Sequence, residues 1–328
     1  MVAFSNNELW MTSEVGPYWN LVGYYPSTRK FVFLTPPGVS QRGGFSIGTN
    51  GMGSGVAGFY PYQSMTTSPI FFLKPGKSTW ETGILPNGLL PVRNAVTVSG
   101  TTIYGAVSLG GNKQGIDYGP IAGPFVTAAL PASNQPISGI YGLSDGVLVV
   151  CSSHGGREIY TFNPTTKSWR KIEKIKPVSG GFTEYPSVSS SGVAAEAVSI
   201  CYSSTVKKGL LNSQRIGATS DQVHTARTIV TSSISTCGPV GKSSNFVVTS
   251  SGKVEIYSSG ASSTLGALKT NVSPTRRFLD LHGKFLAYSL QNNGALSLVS
   301  LPKYRQNAGP INAYLNRILK KLESSGGA

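Results

Sequence analysis

The chain has 328 residues, only 12% of them charged, with 40 glycines and a formal net charge of +15 from 28 Lys plus Arg against 13 Asp plus Glu. No apolar run reaches the ~18 residues a membrane-spanning helix requires, and Met1 to Trp10 has no basic segment leading into an apolar core, so the expectation is synthesis in a cytoplasm with no secretory leader. Cys151, Cys201 and Cys237 are odd in number and lack metal-ligand spacing, which argues against a disulfide framework and leaves Cys151 and Cys201 as small apolar residues in strand-like runs.

Along the chain, an apolar residue, a Pro two positions on and a large apolar residue five further on recur as Tyr24/Pro26/Phe31, Leu73/Pro75/Trp80, Tyr118/Pro120/Phe125 and Phe162/Pro164/Trp169. The prolines step by 49, 45 and 44 residues, the period of a repeat architecture whose unit is one supersecondary element. Ser204, Ser259 and Pro302 continue the spacing in degenerate form. Sixteen residues before most of these turns stands an apolar residue in a strand-like run: Trp10, Phe59, Tyr104, Leu148, Val188 and Leu286. The Ser259 unit breaks that rule.

Within a unit the pattern is strand, turn, strand. Gly146 to Ser152 alternates, His154 to Arg157 turns, Glu158 to Phe162 returns, and Asn163 to Lys167 turns into Trp169 to Ile172. Asn293-Gly294 marks a further hairpin, since a primed turn requires residues that tolerate positive φ. Units of this size with short strands predict an all-β fold, a seven-bladed β-propeller over residues 1–304, in which neighbouring sheets share their bulky Trp and Phe residues as a common core. A β-sandwich is the alternative. The last unit lacks an outer strand, which Val2 to Phe4 could supply. Residues 305–328 form a C-terminal amphipathic α-helix and tail: Pro310 opens it, and Ile311, Leu315, Ile318, Leu319 and Leu322 form one apolar stripe, suited to packing against the propeller or docking to a partner.

Gly155-Gly156, Phe162 and Trp169 stand at the spacing of a kelch repeat, and Gly110-Gly111, Tyr118 and Phe125 resemble it more loosely. The resemblance covers two units. It implies a propeller, and says little of activity, because kelch-type propellers are mostly binding scaffolds with some oxidase members.

Motifs of catalysis and cofactor binding fail on context. Gly53, Gly55 and Gly58 spell a dinucleotide fingerprint, but Phe59 and Tyr60 follow where a helix must begin. Gly76-Lys77-Ser78 and Gly241-Lys242-Ser243 lack the first glycine of a phosphate-binding loop, Phe71 and Thr236 standing in its place. His154, His224 and His282 are scattered over different units, and the acids, Glu158, Glu173, Glu196, Glu255 and Asp280 among them, are too dispersed to read as a glycosidase pair. No cofactor, metal or enzymatic activity is expected.

Cations gather instead on the Pro-bearing turns: Arg29 and Lys30, Lys74 and Lys77, Lys167, Lys207 and Lys208, and Lys303 and Arg305, with Arg170 and Lys171 just beyond the fourth turn. These turns join the same two strands of successive units, so a broken ring of positive charge on one face is expected, with no opposing acid in the turns. The reading is of a binding or assembly module with a protein partner in a larger assembly, comparable in composition to a surface-decorating or attachment component of a viral or phage particle. Recognition of an anionic glycan or nucleic acid by the basic turns is the alternative, and a sialidase-like hydrolase the third.

Overall fold

The computed structural model describes residues 68–172, apart from Arg93, His154 and Gly155, together with the strands named below, Thr28 and Thr35; side chains are described for part of these, between Trp10 and Ile172. Every regular element among them is a strand, and the strands fall into seven sheets, six of them with described antiparallel pairing. By contacts the chain divides into two compact units, Met1–Lys176 with Ser190–Ala195 and Arg215–Gln222, and Pro177–Ser189 with Glu196–Gln214 and Val223–Ala328.

Four sheets lie in the first unit, each a meander in which consecutive strands pair. The first holds β1 (Val2–Ser5), β2 (Glu8–Val15), β3 (Tyr18–Tyr25) and β4 (Lys30–Leu34). The second holds β5 (Ser46–Gly48), β6 (Val56–Phe59), β7 (Ser68–Leu73) and β8 (Glu81–Leu85). In the third, β9 (Gly88–Leu89) pairs with β11 (Thr102–Ser108), beside the run β10 (Val96–Ser99), β11, β12 (Gln114–Gly119) and β13 (Val126–Ala129). The fourth holds β14 (Ile137–Leu143), β15 (Gly146–Ser153), β16 (Gly156–Asn163) and β17 (Ser168–Ile172).

The remaining strands form three more sheets: β18 (Ala195–Ser203), β19 (Lys208–Ile216) and β20 (Asp221–Val230); β21 (Ile234–Val240), β22 (Ser244–Thr249), β23 (Val254–Ser258) and β24 (Thr264–Leu268); and β25 (Phe278–Leu281), β26 (Phe285–Ser289) and β27 (Leu296–Ser300). In this group β21 lies against β25.

The repeat in the sequence has a plain local cause. In the first four sheets the recurring Pro lies in the turn between third and fourth strands, where its fixed φ presets a β-turn. Thr28 N donates to Tyr25 O at 3.2 Å across Pro26, and Lys77 N to Lys74 O at 3.1 Å across Pro75, with Gly76 at φ +70°. Gly123 N closes on Pro120 O at 2.8 Å. After Pro164, the Asn163 side chain accepts from Thr165 N at 2.8 Å and Thr166 N at 3.1 Å. The second recurrent mark, Trp10, Phe59, Tyr104 and Leu148, falls on the second strand of each sheet.

Packing follows from the period of two. On β11, Ile103 and Val107 point into a core shared with Ala57, Ile70, Phe72 and Leu85 of the second sheet, while Tyr104 and Ala106 point into a core shared with Ile140, Val147, Val149, Tyr160 and Phe162 of the fourth. A third cluster joins Trp10 and Leu21 of the first sheet to Ile47, Phe71 and Leu73 of the second. Strands covered on both faces lose polar alternation, so Val147 to Cys151 is buried without a break. Polar stitches fix the offset between sheets: Thr97 Oγ1 accepts from Gly142 N at 3.0 Å, Gln114 Oε1 from Ile137 N at 2.7 Å, and Ser68 Oγ from Leu89 N at 2.8 Å.

Several expectations need correction. The bulky residues after the Pro turns are not the shared core: Phe31 is 58% exposed, and Trp80, Phe125 and Trp169 only edge their clusters, because the fourth strand is outermost and has a neighbour on one side. Val2–Ser5 pairs with β2 of its own sheet, a two-residue link making the local hairpin the short route. Ser204 sits between β18 and β19, the first two strands of their described sheet, so the period slips there. As expected, a strand stands where the dinucleotide fingerprint needs a helix: Gly58 lies in β6, paired with Ile47 and Phe71. Cys151 is buried on β15 as expected. The C-terminal segment, with Ile311, Leu315, Ile318, Leu319 and Leu322, lies outside the described residues.

Candidate interaction surface

In a four-stranded meander the first-to-second and third-to-fourth turns emerge at one end of the sheet, so the Pro turns of the first four sheets each mark the same end of their own sheet. Lys30 opens β4 there and is exposed; Lys77 is exposed in the β7–β8 turn; Lys167 is exposed in the β16–β17 turn, in the left-handed region at φ +54°. These three have no carboxylate partner among the described residues. The β12–β13 turn contributes no cation.

Other predicted cations behave differently. Lys74 pairs with Glu81 across the same turn at 2.6 Å, both half exposed. The turn itself holds no acid, and the carboxylate that meets Lys74 comes from the first residue of the returning strand β8. Lys171 sits opposite Tyr160 in register, four residues past Lys167, so it lies along β17 away from the turn end, at ~3.3 Å per residue. Its Nζ is bonded to Glu158 Oε1 and stands 5.5 Å from the centre of the Tyr160 ring. Arg170, beside it, is half buried and does not stand out as a solvated cation. Lys208 begins β19, with its side chain undescribed. Arg29, Lys207, Lys303 and Arg305 fall outside the described residues.

Two acids of the first unit, Glu158 and Asp117, hold strands together. Glu158 accepts from Lys171, from Ser133 Oγ at 2.6 Å and from Tyr160 Oη at 3.3 Å. The Lys171 and Ser133 hydrogen bonds hold its carboxyl at about 2, below its ordinary 4.5, and the same contact raises the Lys171 ammonium. Asp117 is fully buried on β12, an acid inside the apolar run Ile116-Asp117-Tyr118. It accepts from Asn87 N at 3.1 Å, from Asn87 Nδ2 at 2.9 Å and from Thr127 Oγ1 at 2.6 Å, tying the segment that leaves the second sheet to the outer strands of the third. That cluster was not foreseen from sequence; the one signal for it was the isolated acid.

Burial acts on three further groups. It pushes the Cys151 thiol up to about 11 and raises the hydroxyls of Tyr104 and Tyr118 above their usual range, so these groups stay neutral at physiological pH. Among the described residues no group of three or more His, Cys, Asp or Glu could hold a metal ion. The arrangement offers one exposed lysine at the turn end of each of three sheets and a body of committed polar bonds.

No protein-family model matches this sequence, and no curated protein matches it. In three dimensions the chain is similar to the β-propeller domain of Cps50 (Swd1) from Myceliophteria thermophila, with a TM-score of 0.57 and 11% identity, over 92% of this chain and 96% of that one. A chain of the mitotic checkpoint complex matches at a TM-score of 0.54 and 10% identity, over 92% and 90%. KlHsv2 with loop 6CD replaced by a Gly-Ser linker matches at 0.50 and 12% identity, over 93% of both. At such identities the likeness is one of fold: an all-β chain of the β-propeller kind.

Proposed function

We propose that this chain is a non-enzymatic binding and assembly scaffold, a propeller of seven blades with one blade for each sheet. The observation that carries the reading is how its polar groups are used: Asp117 and Glu158 bind strands together, while Lys30, Lys77 and Lys167 stand exposed at turns. Its kelch-like features are confined to the third and fourth sheets, where Phe162 and Trp169 pair across strands with ring centres 4.9 Å apart. The low charge and glycine-rich turns suit a surface-decorating or attachment component of a viral or phage particle.

The test is to isolate the assembly containing the tagged chain at about 0.1 M and about 0.5 M salt, where screening lengths differ severalfold. A stoichiometric protein partner retained at the higher salt supports the scaffold. Recovery of the chain alone at both salts overturns it.

A second reading, recognition of an anionic glycan or nucleic acid, is favoured by the three exposed turn lysines. Under that reading, heparin binding weakens steeply with salt, and each Lys→Ala change lowers the salt slope by about one.

A further inference from the structure

We propose that Asn87-Gly88 is a self-modification site held closed by Asp117 and Thr127, whose conversion to aspartate or isoaspartate releases the segment leaving the second sheet from the outer strands of the third. The inference is independent of the scaffold reading. In an Asn-Gly pair no Cβ crowds the second backbone nitrogen, so that nitrogen can attack the side-chain amide before it. Asn87 and Gly88 are half-buried, and water has access to both.

The reaction needs only the chain and water. The Gly88 nitrogen gives its proton to solvent and bonds to Asn87 Cγ, the Cγ–Nδ2 bond breaks, and Nδ2 leaves as ammonia. Water then opens the cyclic imide. Breaking the new Cγ–N bond leaves aspartate; breaking the original backbone C–N bond leaves isoaspartate, with the chain rerouted through the side chain. The sum is a water taken up and an ammonia released.

In the fold this attack is blocked twice. Asn87 Nδ2 donates to Asp117 Oδ1 at 2.9 Å, to Asp117 Oδ2 at 3.2 Å and to Thr127 Oγ1 at 3.1 Å, which holds the amide against β12 and β13. Gly88 is drawn out in β9, opposite Ser108 of β11. Both restraints must open before Cγ meets the Gly88 nitrogen.

Asp117 is also what makes the product disruptive. It is fully buried, and besides the amide it accepts from Asn87 N at 3.1 Å and from Thr127 Oγ1 at 2.6 Å. A carboxylate at position 87 puts an acceptor where the amide donated, so like charges face each other across the former hydrogen bonds. Isoaspartate lengthens the backbone just ahead of Leu89, whose N donates to Ser68 Oγ at 2.8 Å. Either product breaks the latch, and no step restores the amide.

The experiment incubates the full chain for days at about pH 8 and about 37 °C, folded and in guanidinium. Peptide mapping by mass spectrometry follows Asn87 apart from the Asn50-Gly51 and Asn293-Gly294 pairs. Expected is conversion at least about tenfold slower in the folded chain than in the unfolded one, since opening must first break hydrogen bonds to a charged group. Asp117→Ala should raise the folded-state rate about tenfold and Thr127→Val by less, with circular dichroism checking that each variant is folded. Thr127 is exposed, so its variant carries the test where Asp117→Ala does not fold. Asn87→Asp, the product itself, should lower the urea midpoint below that of Asn87→Ala. Combining Asn87→Asp with Asp117→Asn should recover it, by returning a donor opposite an acceptor. A folded chain modified as fast as the unfolded one overturns the proposal, as do folded variants no faster than the unmodified chain. An Asn87→Asp chain as stable as the unmodified one overturns the release. Failure of the exchanged pair to recover stability also overturns it, and assigns the loss to packing rather than charge.

Discussion

The Trp10 indole lies directly over Gly23, its cross-strand partner, so closely that a Cβ on Gly23 would fall 2.6 to 2.9 Å from three indole carbons. Trp10 is 1% exposed, and its ring also meets Tyr25 edge-on at 6.1 Å. The ring fills the space a side chain would take, which makes the pair one packing unit between β2 and β3. Gly23→Ala is expected to cost about 1–3 kcal/mol through overpacking, and Trp10→Ala about 3–5 kcal/mol through the cavity it leaves. Urea unfolding followed by circular dichroism measures both; a Gly23→Ala midpoint equal to that of the unmodified chain would refute the packing.

Asp117 holds the second-sheet exit to the third sheet through Asn87 and Thr127. Replacing it with Ala strands the Asn87 amide and the Thr127 hydroxyl, and is expected to cost about 1–3 kcal/mol. Asn87→Ala in the Asp117→Ala background should then cost less than Asn87→Ala alone, a coupling that a double-mutant cycle reads.

Acid dependence is expected from Glu158. Its folded value of about 2 lies below its ordinary 4.5, so its contribution to stability is complete above the ordinary value and is lost as pH falls toward 2. Glu158→Gln should be less stable than the unmodified chain at pH 7, with the gap closing through that acid window. Lys171→Met should move the window upward, because the largest cause of the depression is gone. Equal pH profiles for the unmodified and Glu158→Gln chains would contradict the bonding.

Lys167 adopts a left-handed φ of +54° that glycine takes without steric cost. Lys167→Gly is therefore expected to leave stability unchanged or raise it by up to about 1 kcal/mol, while removing one exposed cation. Thermal unfolding and the salt slope of heparin binding report the two effects separately.

The Cys151 thiol, pushed up to about 11 by burial on β15, should resist disulfide reagents at pH 8 until the chain unfolds. With Cys201 and Cys237 changed to Ser, labelling should appear only in denaturant. Rapid labelling of the native protein would refute the burial.

The pitch of the units, the strand-turn-strand order and the positions of the first four Pro turns were readable from the sequence, because Pro geometry, glycine tolerance and the period of two are local properties of the chain. Hence Gly146 to Ser152, Glu158 to Phe162 and Trp169 to Ile172 were placed nearly as they fold. Local pattern does not say which neighbour covers a face. Phe31 and Trp10 are alike as large apolar residues in alternating strands, yet only the stacking of a second sheet decides that Trp10 is buried and Phe31 exposed. Lys74 and Lys171 likewise read as free cations until strand pairing brings Glu81 and Glu158 to them, and Asn87 meets Asp117 across thirty residues only when two sheets pack. Periodicity wrote the strands; burial and charge pairing, being contacts between distant segments, were decided by the tertiary structure.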